Sequence, residues 1–476
     1  MPGETSEDLL ALYDGASLNR RYWVAFAILS AITVLEFFDF SVVAFLLAVV
    51  GPQWHLTYGQ SALILYSGGL GAIAGALIFG SLADAWGRKA QMVIGTFICG
   101  IAAALIGFVP DGAWQLFALL RFVVGLGLTA AVVPCLTIVV ELTPTRHRTF
   151  VTSFYVAFAT AGGLLSSITS AALLAAIGWR GMAMLGISVA AVGVLALLFV
   201  PESVRWLTAK GRFAEARAEV AKQLGIPLRS VPLPTMMPAA VPRGRLSELL
   251  QQPRQFWETL MIWGGAATAA YGVYLWGPTV ISLLLKVPVP QAAKYFIWVA
   301  GAGIAGKIIV SFLAPVLGRR LLGVLWGFGG VAALAAVGYC GSTLIGSVPL
   351  IVVALAASSF CIDGSFSNLA PYTVESYGVR MGARASGLGQ TANGVGKILG
   401  PLSLALIAGT SNIVSPKATE GALVPAFLFL AIGMLLVGLS FAILGRETHG
   451  RPMSLGEDEP AARQPIVFGA ETRRTS

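Results

Sequence analysis

Long apolar runs broken by short polar stretches set the pattern of this chain. Runs near 22–47, 60–83, 90–109, 114–141, 150–177, 181–200, 257–284, 292–315, 321–341, 347–372, 385–409 and 423–445 follow one another. Each approaches or exceeds the ~20 residues that a helix needs to cross a hydrocarbon layer of ~30 Å. Twelve transmembrane helices are therefore predicted, in an all-α membrane protein. The longest hydrophilic stretch, 201–255, divides them six and six. Its residues Arg212, Glu215, Arg217, Glu219 and Lys222 fit a short amphipathic helix, and it then turns proline-rich at Pro227, Pro232, Pro234, Pro238 and Pro242. The expected organisation is a terminal segment 1–21, a six-helix half 22–200, a linker 201–255, a second half 256–445 and a polar, disordered tail 446–476. Repetition supports two pseudo-symmetric halves. The turn around Arg88-Lys89 after the second run returns as Gly318-Arg319-Arg320 after the eighth, and Glu141…Arg148 returns as Glu375…Arg384. Paired halves with a site near the midplane are a common carrier plan.

Composition agrees with this pattern. Of 476 residues 57% are hydrophobic and 11% charged, whereas a soluble domain carries ~25% charged residues. The 56 glycines suit helices that pack closely in lipid. A net charge of +9 would suit a nucleic-acid partner, but the basic residues sit in loops. One set of loops holds only Arg180, Lys286, Lys294 and Lys417. The other holds Arg20-Arg21, Arg88-Lys89, Arg146 with Arg148, Arg319-Arg320, and Arg380 with Arg384. That asymmetry predicts cytoplasmic termini in a plasma (inner) membrane, with the lipid bilayer and no nucleic acid as partner. The polar, acidic start from Pro2 to Asp14 lacks the apolar core of a signal peptide. Cys99, Cys135, Cys340 and Cys361 fall inside apolar runs and are read as buried small residues, not as disulfides or a metal site. His55, His147 and His449 lie at span ends or in loops and form neither a metal set nor a triad, so no metal, no cofactor and no enzyme activity are expected.

Several motifs stand in order along this frame. Gly80-Ser81-Leu82-Ala83-Asp84-Ala85-Trp86-Gly87-Arg88-Lys89 is a charged two-glycine turn between membrane-length runs. It resembles the signature between the second and third helices of major facilitator superfamily transporters. Arg121-x-x-x-Gly125-x-Gly127 resembles that superfamily's fourth-helix motif, and Glu141 to Arg148 the turn after it. Pro201-Glu202-Ser203-Val204-Arg205-Trp206-Leu207 resembles the end of the sixth helix in sugar-porter and aromatic-acid branches. Glu447-Thr448-His449-Gly450 resembles the matching segment after the last helix. The resemblance implies a carrier working by alternating access, driven by a proton gradient. It gives Gly80, Asp84, Gly87 and Arg88 a mechanical role, Asp84 meeting the N-terminal end of the eleventh helix near Arg384 when the cytoplasmic side is shut. A helix N-terminus favours a carboxylate by ~0.3–1 kcal/mol. Glu141, Arg148, Glu375 and Arg384 are expected to form surface latches in both halves.

Six acids or bases lie deep inside apolar runs: Glu36, Asp39, Arg121, Lys307, Asp363 and Lys397. Each costs about 2.5–3.5 kcal/mol at a helix centre unless it is paired or faces water. At 1.5 Å per residue, Asp39 lies ~24 Å above Trp23 and Arg121 ~30 Å above Glu141, so the two can meet in the outer part of the membrane. Such a pair either couples a proton or only fixes the packing. Glu36 shares a helix face with Asp39 by its i, i+3 spacing and is, with Asp39 and Arg121, a candidate for proton coupling, unless it only supports helix packing on that face. Glu36-Phe37-Phe38-Asp39 resembles the acid-x-x-acid motif of aromatic acid:H⁺ symporters, but departs from it at Glu36 and Phe37, where aspartate and glycine are usual. Lys307 lies ~16.5 Å above Gly318, Lys397 ~19.5 Å above Arg384 and Asp363 ~18 Å above Glu375. Two ammonium groups facing one cavity would attract a carboxylate. Alternatively Asp363 neutralises one of them as a structural pair. Lys397 is favoured for substrate because Gln390, Thr391 and Asn393 share its span. Among the aromatic residues, Tyr271, Tyr274, Trp276 and Phe366 are the candidate substrate contacts, and Pro278 can break the seventh helix.

Gly301 to Lys307 approaches a phosphate-binding loop, yet Ile308 stands where Ser or Thr is needed, so ATP use is not expected. The resulting expectation is a monomeric secondary transporter that imports a small organic anion with a proton, an aromatic or heteroaromatic carboxylate being favoured. A sugar or polyol:H⁺ symporter, a proton-driven drug or metabolite exporter, and a non-transporting sensor are the alternatives.

Overall fold

The computed structural model describes residues 6–15, 17–233, 246–341, 343–345 and 348–448. The side chains of Ser81, Ala83, Asp84, Val379, Arg380 and Ala383, among others, are outside that description. So are the proline-rich stretch 234–245 and the tail from 449 onward.

Among the described residues, eleven helical segments are long and apolar enough to cross a membrane. α2 (Arg20–Gln53), α3 (Tyr58–Trp86), α4 (Arg88–Ile106) and α5 (Trp114–Leu142) come first. α6 (Thr145–Met184) leaves the helix for a single residue at Gly178, whose φ of 66° and ψ of 178° favour glycine. The sixth expected span therefore starts at Trp179 and is completed by the thirteen-residue α7 (Ile187–Phe199). It is interrupted at Leu185–Gly186, where the backbone stays right-handed but tightens to i→i+3 bonds, Gly186 N–H to Ala183 O and Ser188 N–H to Leu185 O at 3.0 Å each. Gly186 backs onto α4 there, since a Cβ would stand 2.4 Å from Ala103 Cβ.

The second set comprises α10 (Pro253–Leu285), α11 (Val289–Leu317), α12 (Arg319–Cys340), α13 (Leu350–Ala408) and α14 (Pro416–Leu439). α13 holds two spans, Leu350–Gly378 and Arg384–Ala408. Its polar stretch 372–385 predicts a loop, but the helix persists on both sides of Gly378, where φ is 74° and ψ 177°. A two-residue hairpin, β1 (Leu344–Ile345) and β2 (Val348–Pro349), joins α12 to α13.

Helices α1 (Ser6–Asp14), α8 (Val204–Ala209) and α9 (Phe213–Leu224) cover one end of α2, α5 and α6, on the face that bears the chain termini. Leu9 and Tyr13 are buried in one cluster with Val204, Trp206, Leu207 and Val220. Asp14 ties the assembly by accepting from Arg148 at 3.2 Å and Arg205 at 2.7 Å. The two repeat turns on this face share one device. Gly87 (φ 100°) and Gly318 (φ 78°) start α4 and α12, whose first N–H groups have no side-chain cap from the preceding residue. Glu202 accepts from Arg88 and Lys89 N–H at 3.1 and 3.2 Å, and Glu447 from Arg319 and Arg320 N–H at 2.9 and 3.1 Å. A carboxylate there satisfies otherwise orphaned donors and complements the helix dipole.

On the opposite, far face the α2–α3 turn pairs with the α13–α14 turn. Tyr58 and Gly59 N–H donate to Asn412 and Thr410 O at 2.9 and 3.0 Å, and Val414 N–H donates to Leu56 O at 3.0 Å. The Tyr58 hydroxyl adds a 2.6 Å bond with Thr419. Beside this seal Asp111 accepts from Arg180 (2.9 Å) and Trp54 (3.1 Å), which together hold its carboxyl below the usual range.

Close packing explains the fourth-span glycines. A Cβ at Gly125 would stand 1.9 Å from Gly68 O on α3, and one at Gly127 2.5 Å from Cys99 N on α4. Gly125→Ala is therefore expected to destabilise the bundle by about 1–3 kcal/mol. Gly421→Ala, with nothing within 4 Å, should be neutral or slightly stabilising. Thermal unfolding of the two purified variants in detergent checks both.

Candidate functional site

The charges deep in the spans, buried or half-buried, fall into three groups around the middle of the bundle. In the first, Arg121 of α5 reaches Asp39 of α2 at 2.9 Å, with both side chains almost fully enclosed (2% and 3% exposed). Its Nη1 also donates to the Asp39 carbonyl at 3.3 Å. Glu36 lies one turn along α2 and is fully buried. Neither of its oxygens has a hydrogen-bond partner among the described residues. Thr33 and Tyr155, hydrogen-bonded to each other, lie one turn farther toward the termini face.

In the second group, Lys307 of α11 pairs with Asp363 of α13 at 3.2 Å. The hydroxyl of Tyr274 on α10 donates to the other Asp363 oxygen and bonds Ser359. Gly303, one turn before Lys307, makes room for this carboxylate, because a Cβ would stand 2.2 Å from Asp363 Oδ2. Lys307 also donates to Thr160 of α6 at 2.5 Å, so this group joins helices from the two sets. Asp363 is thus ion-paired with Lys307 in this state.

The third group centres on Lys397 in the second span of α13. Its ammonium stands 5.5 Å from the ring centroids of both Phe40 (α2) and Tyr271 (α10). The two rings meet edge to face at 5.5 Å. A Cβ at Gly69 would lie 3.0 Å from Lys397 Cβ, and one at Gly68 3.5 Å from Arg121 Nη2. Two adjacent glycines of α3 thus stand between the pair and this lysine. The two lysines have different partners but are linked through α10, where Tyr271 and Tyr274 are one turn apart.

The remaining candidates are placed as follows. Asn393, one turn before Lys397, donates to Gln390 at 3.1 Å. Phe366 meets Trp263 edge to face. Trp276 is 2% exposed and donates to Pro401 O at 2.8 Å, packed beside Tyr58 below the far-face seal. On the termini face, Gly80 lies in α3 and Gly87 and Arg88 in the turn already described, whereas the Asp84 side chain lies outside the described ones. Among the described contacts two of the four latch residues bind other partners. Arg148 binds Asp14 and Thr143 O, and Glu375 binds Arg319 at 3.1 Å and Thr448 at 2.5 Å. Glu141 leaves one buried oxygen without a partner among the described residues, and Arg384 opens the last span of α13.

Four residues with defined partners are not singled out as sites by the sequence. Phe40 is one of several aromatics in its span, Thr160 one of many hydroxyls, and Asp14 an ordinary acid near the terminus. Glu202 stands inside a quoted motif, but its role as a cap on α4 depends on a contact 114 residues away.

Comparisons with known proteins agree with this architecture. A family model described as the Major Facilitator Superfamily matches residues 29–401. The chain is 26% identical over 454 residues to a niacin transporter of Acinetobacter baylyi, covering 94% of this chain and 99% of that one. It is 25% identical over 405 residues to a 4-hydroxybenzoate transporter of Pseudomonas aeruginosa, covering 82% and 86%. Among solved structures, a D-xylose–proton symporter superposes with a TM-score of 0.71 at 18% identity, covering 90% of this chain and 99% of that one. An inward-facing, occupied bacterial homologue of the human lysosomal transporter Spinster gives 0.69 at 15% identity, covering 91% and 98%.

The Asp39–Arg121 contact makes a stability prediction. Arg121→Gln strands a buried carboxylate and should cost about 3–5 kcal/mol. Adding Asp39→Asn should recover much of that loss, as read by thermal unfolding of the single and double variants.

Proposed function

This chain belongs to the Major Facilitator Superfamily, a family of transporters rather than enzymes, and on that premise we propose that it imports an aromatic or heteroaromatic carboxylate together with a proton. The observation that carries this reading is Lys397, an ammonium whose described neighbours are the faces of Phe40 and Tyr271. A cation over a ring gains about 0.5–2 kcal/mol. A carboxylate offers a charge-assisted hydrogen bond, roughly twice as strong as a neutral one. An aromatic acid entering here exchanges the first contact for the second, and its ring then takes the place of the ammonium against Phe40 and Tyr271. Phe40 and Tyr271 come from helices of different sets, so a ring held by both draws the sets together. Asn393 and Phe366 would add contacts to the bound acid, and Trp276 keeps α10 and α13 in register below the far face. The relatives named for niacin and 4-hydroxybenzoate support this substrate class.

The coupled proton belongs to the acids of α2. The bound anion neutralises Lys397 and the proton neutralises an acid of α2, so the loaded carrier holds no uncompensated charge at either place, which favours the occluded state. The Lys307–Asp363–Tyr274 cluster tethers α11 to α6 through Thr160 and must let go as the sets rock. The excess of Lys and Arg on the termini face supports cytoplasmic termini in a plasma membrane. The far face would then be external, and this state open to the cytoplasm. Asp84 and Arg88, with the start of the last α13 span, would close that side. The working unit is a monomer.

Uptake of labelled nicotinate or 4-hydroxybenzoate into proteoliposomes, acidic outside, tests the reading. Lys397→Gln should lower uptake about tenfold to a hundredfold, the equivalent of one charge-assisted bond, and Lys397→Arg should keep part of it. Absence of gradient-dependent uptake for every carboxylate tried would overturn the proposal. Uptake of a neutral polyol that survives Lys397→Gln would favour the sugar-porter alternative.

A further inference from the structure

We propose that Glu36, and not the Asp39–Arg121 pair beside it, binds the coupled proton; this rests on the proton-coupled reading above. α2 carries Ser30, Thr33, Glu36 and Asp39 at intervals of three, all buried. Neighbours at that interval share a helix face. Asp39 is answered by a guanidinium in direct contact. Glu36 is answered by nothing: both oxygens are enclosed without a donor among the described residues. The titratable groups that face it are Asp39 on its own helix, Cys99 on α4, Cys135 on α5 and Tyr155 on α6. None of them is a cation, and Arg121 is occupied by Asp39. A carboxylate ion in that position would be desolvated, unpaired and close to a like charge, so this packing holds the neutral acid.

The division of labour follows. Asp39–Arg121 is a fixed pair that ties α2 to α5. Glu36 is the group whose charge changes during the cycle. With the far face sealed, its proton leaves toward the termini face, where the Thr33–Tyr155 hydroxyl pair and then Ser30 lie on the same side of α2. Discharge leaves the carboxylate and a proton released to that side. Opening of the far face lets the carboxylate take up one proton from there, so one proton crosses per cycle and no other reactant is needed.

Two measurements on the full-length protein in lipid test this. Infrared difference spectra at neutral pH, wild type minus Glu36→Gln, should show a carboxylic-acid carbonyl band that Asp39→Asn retains. In proteoliposomes, Glu36→Gln should lose gradient-driven accumulation of labelled nicotinate or 4-hydroxybenzoate at least tenfold, yet keep exchange of labelled for unlabelled compound. Glu36→Asp, which keeps an acid in place, should accumulate and shift the band, and it guards against a variant that fails to fold. Identical spectra for wild type and Glu36→Gln, or undiminished accumulation by Glu36→Gln, would overturn the proposal. If wild type itself shows no gradient-driven accumulation, the proton-coupled reading falls and takes this inference with it. If the gradient drives wild type and Glu36→Gln alike, while Asp39→Asn exchanges without accumulating, this inference falls alone.

Discussion

A charge held inside a lipid-embedded bundle has to be answered locally, because water is too far away to do it. That constraint arranges the middle of this molecule. Asp39 and Arg121 answer each other across α2 and α5, and Lys307 and Asp363 across α11 and α13. Lys397 is met by two aromatic faces, a weaker partner than an acid. The two acid–base pairs and the lone ammonium of Lys397 thus differ in how completely these charges are satisfied. The best satisfied hold helices together, and the least satisfied is where an anionic guest gains most.

Glycine makes this arrangement possible. Gly68 and Gly69 of α3 let Arg121 approach from one set of helices and Lys397 from the other with little more than backbone between them. A Cβ at Gly69 would press on Lys397, and a side chain larger than a methyl at Gly68 would crowd Arg121. The fourth-span glycines extend the same logic, Gly125 against α3 and Gly127 against α4. Small residues at helix contacts are the usual way to bring backbones together where lipid gives no hydrophobic drive.

Much of this was legible in the chain itself. Apolar run length located the spans, because the cost of an unsatisfied backbone in lipid leaves few alternatives to a helix. Depth counting by helix rise brought Asp39 to Arg121 and placed Lys307 near Asp363. What the sequence concealed has a common cause. Leu185–Gly186 changes the path of the chain without any change in hydropathy, and on both sides of Gly378 the chain stays helical despite a polar stretch, so neither the short sixth span nor the helical turns around 372–385 could be read from polarity. Partners far apart in sequence were equally hidden. Nothing near Asp14 announces that it receives two arginines, and Phe40 differs from Phe37 and Phe38 only in which way its ring turns.

The far-face seal is built from peptide groups and two hydroxyls, Tyr58 and Thr419. None of those bonds involves an ionised atom. Changes in acidity or ionic strength therefore leave the strength of that closure almost untouched, and any sensitivity of the cycle to them has to enter through the ionisable side chains elsewhere. The lock is also written mostly in main chain, so the residues that choose a guest can vary without loosening it.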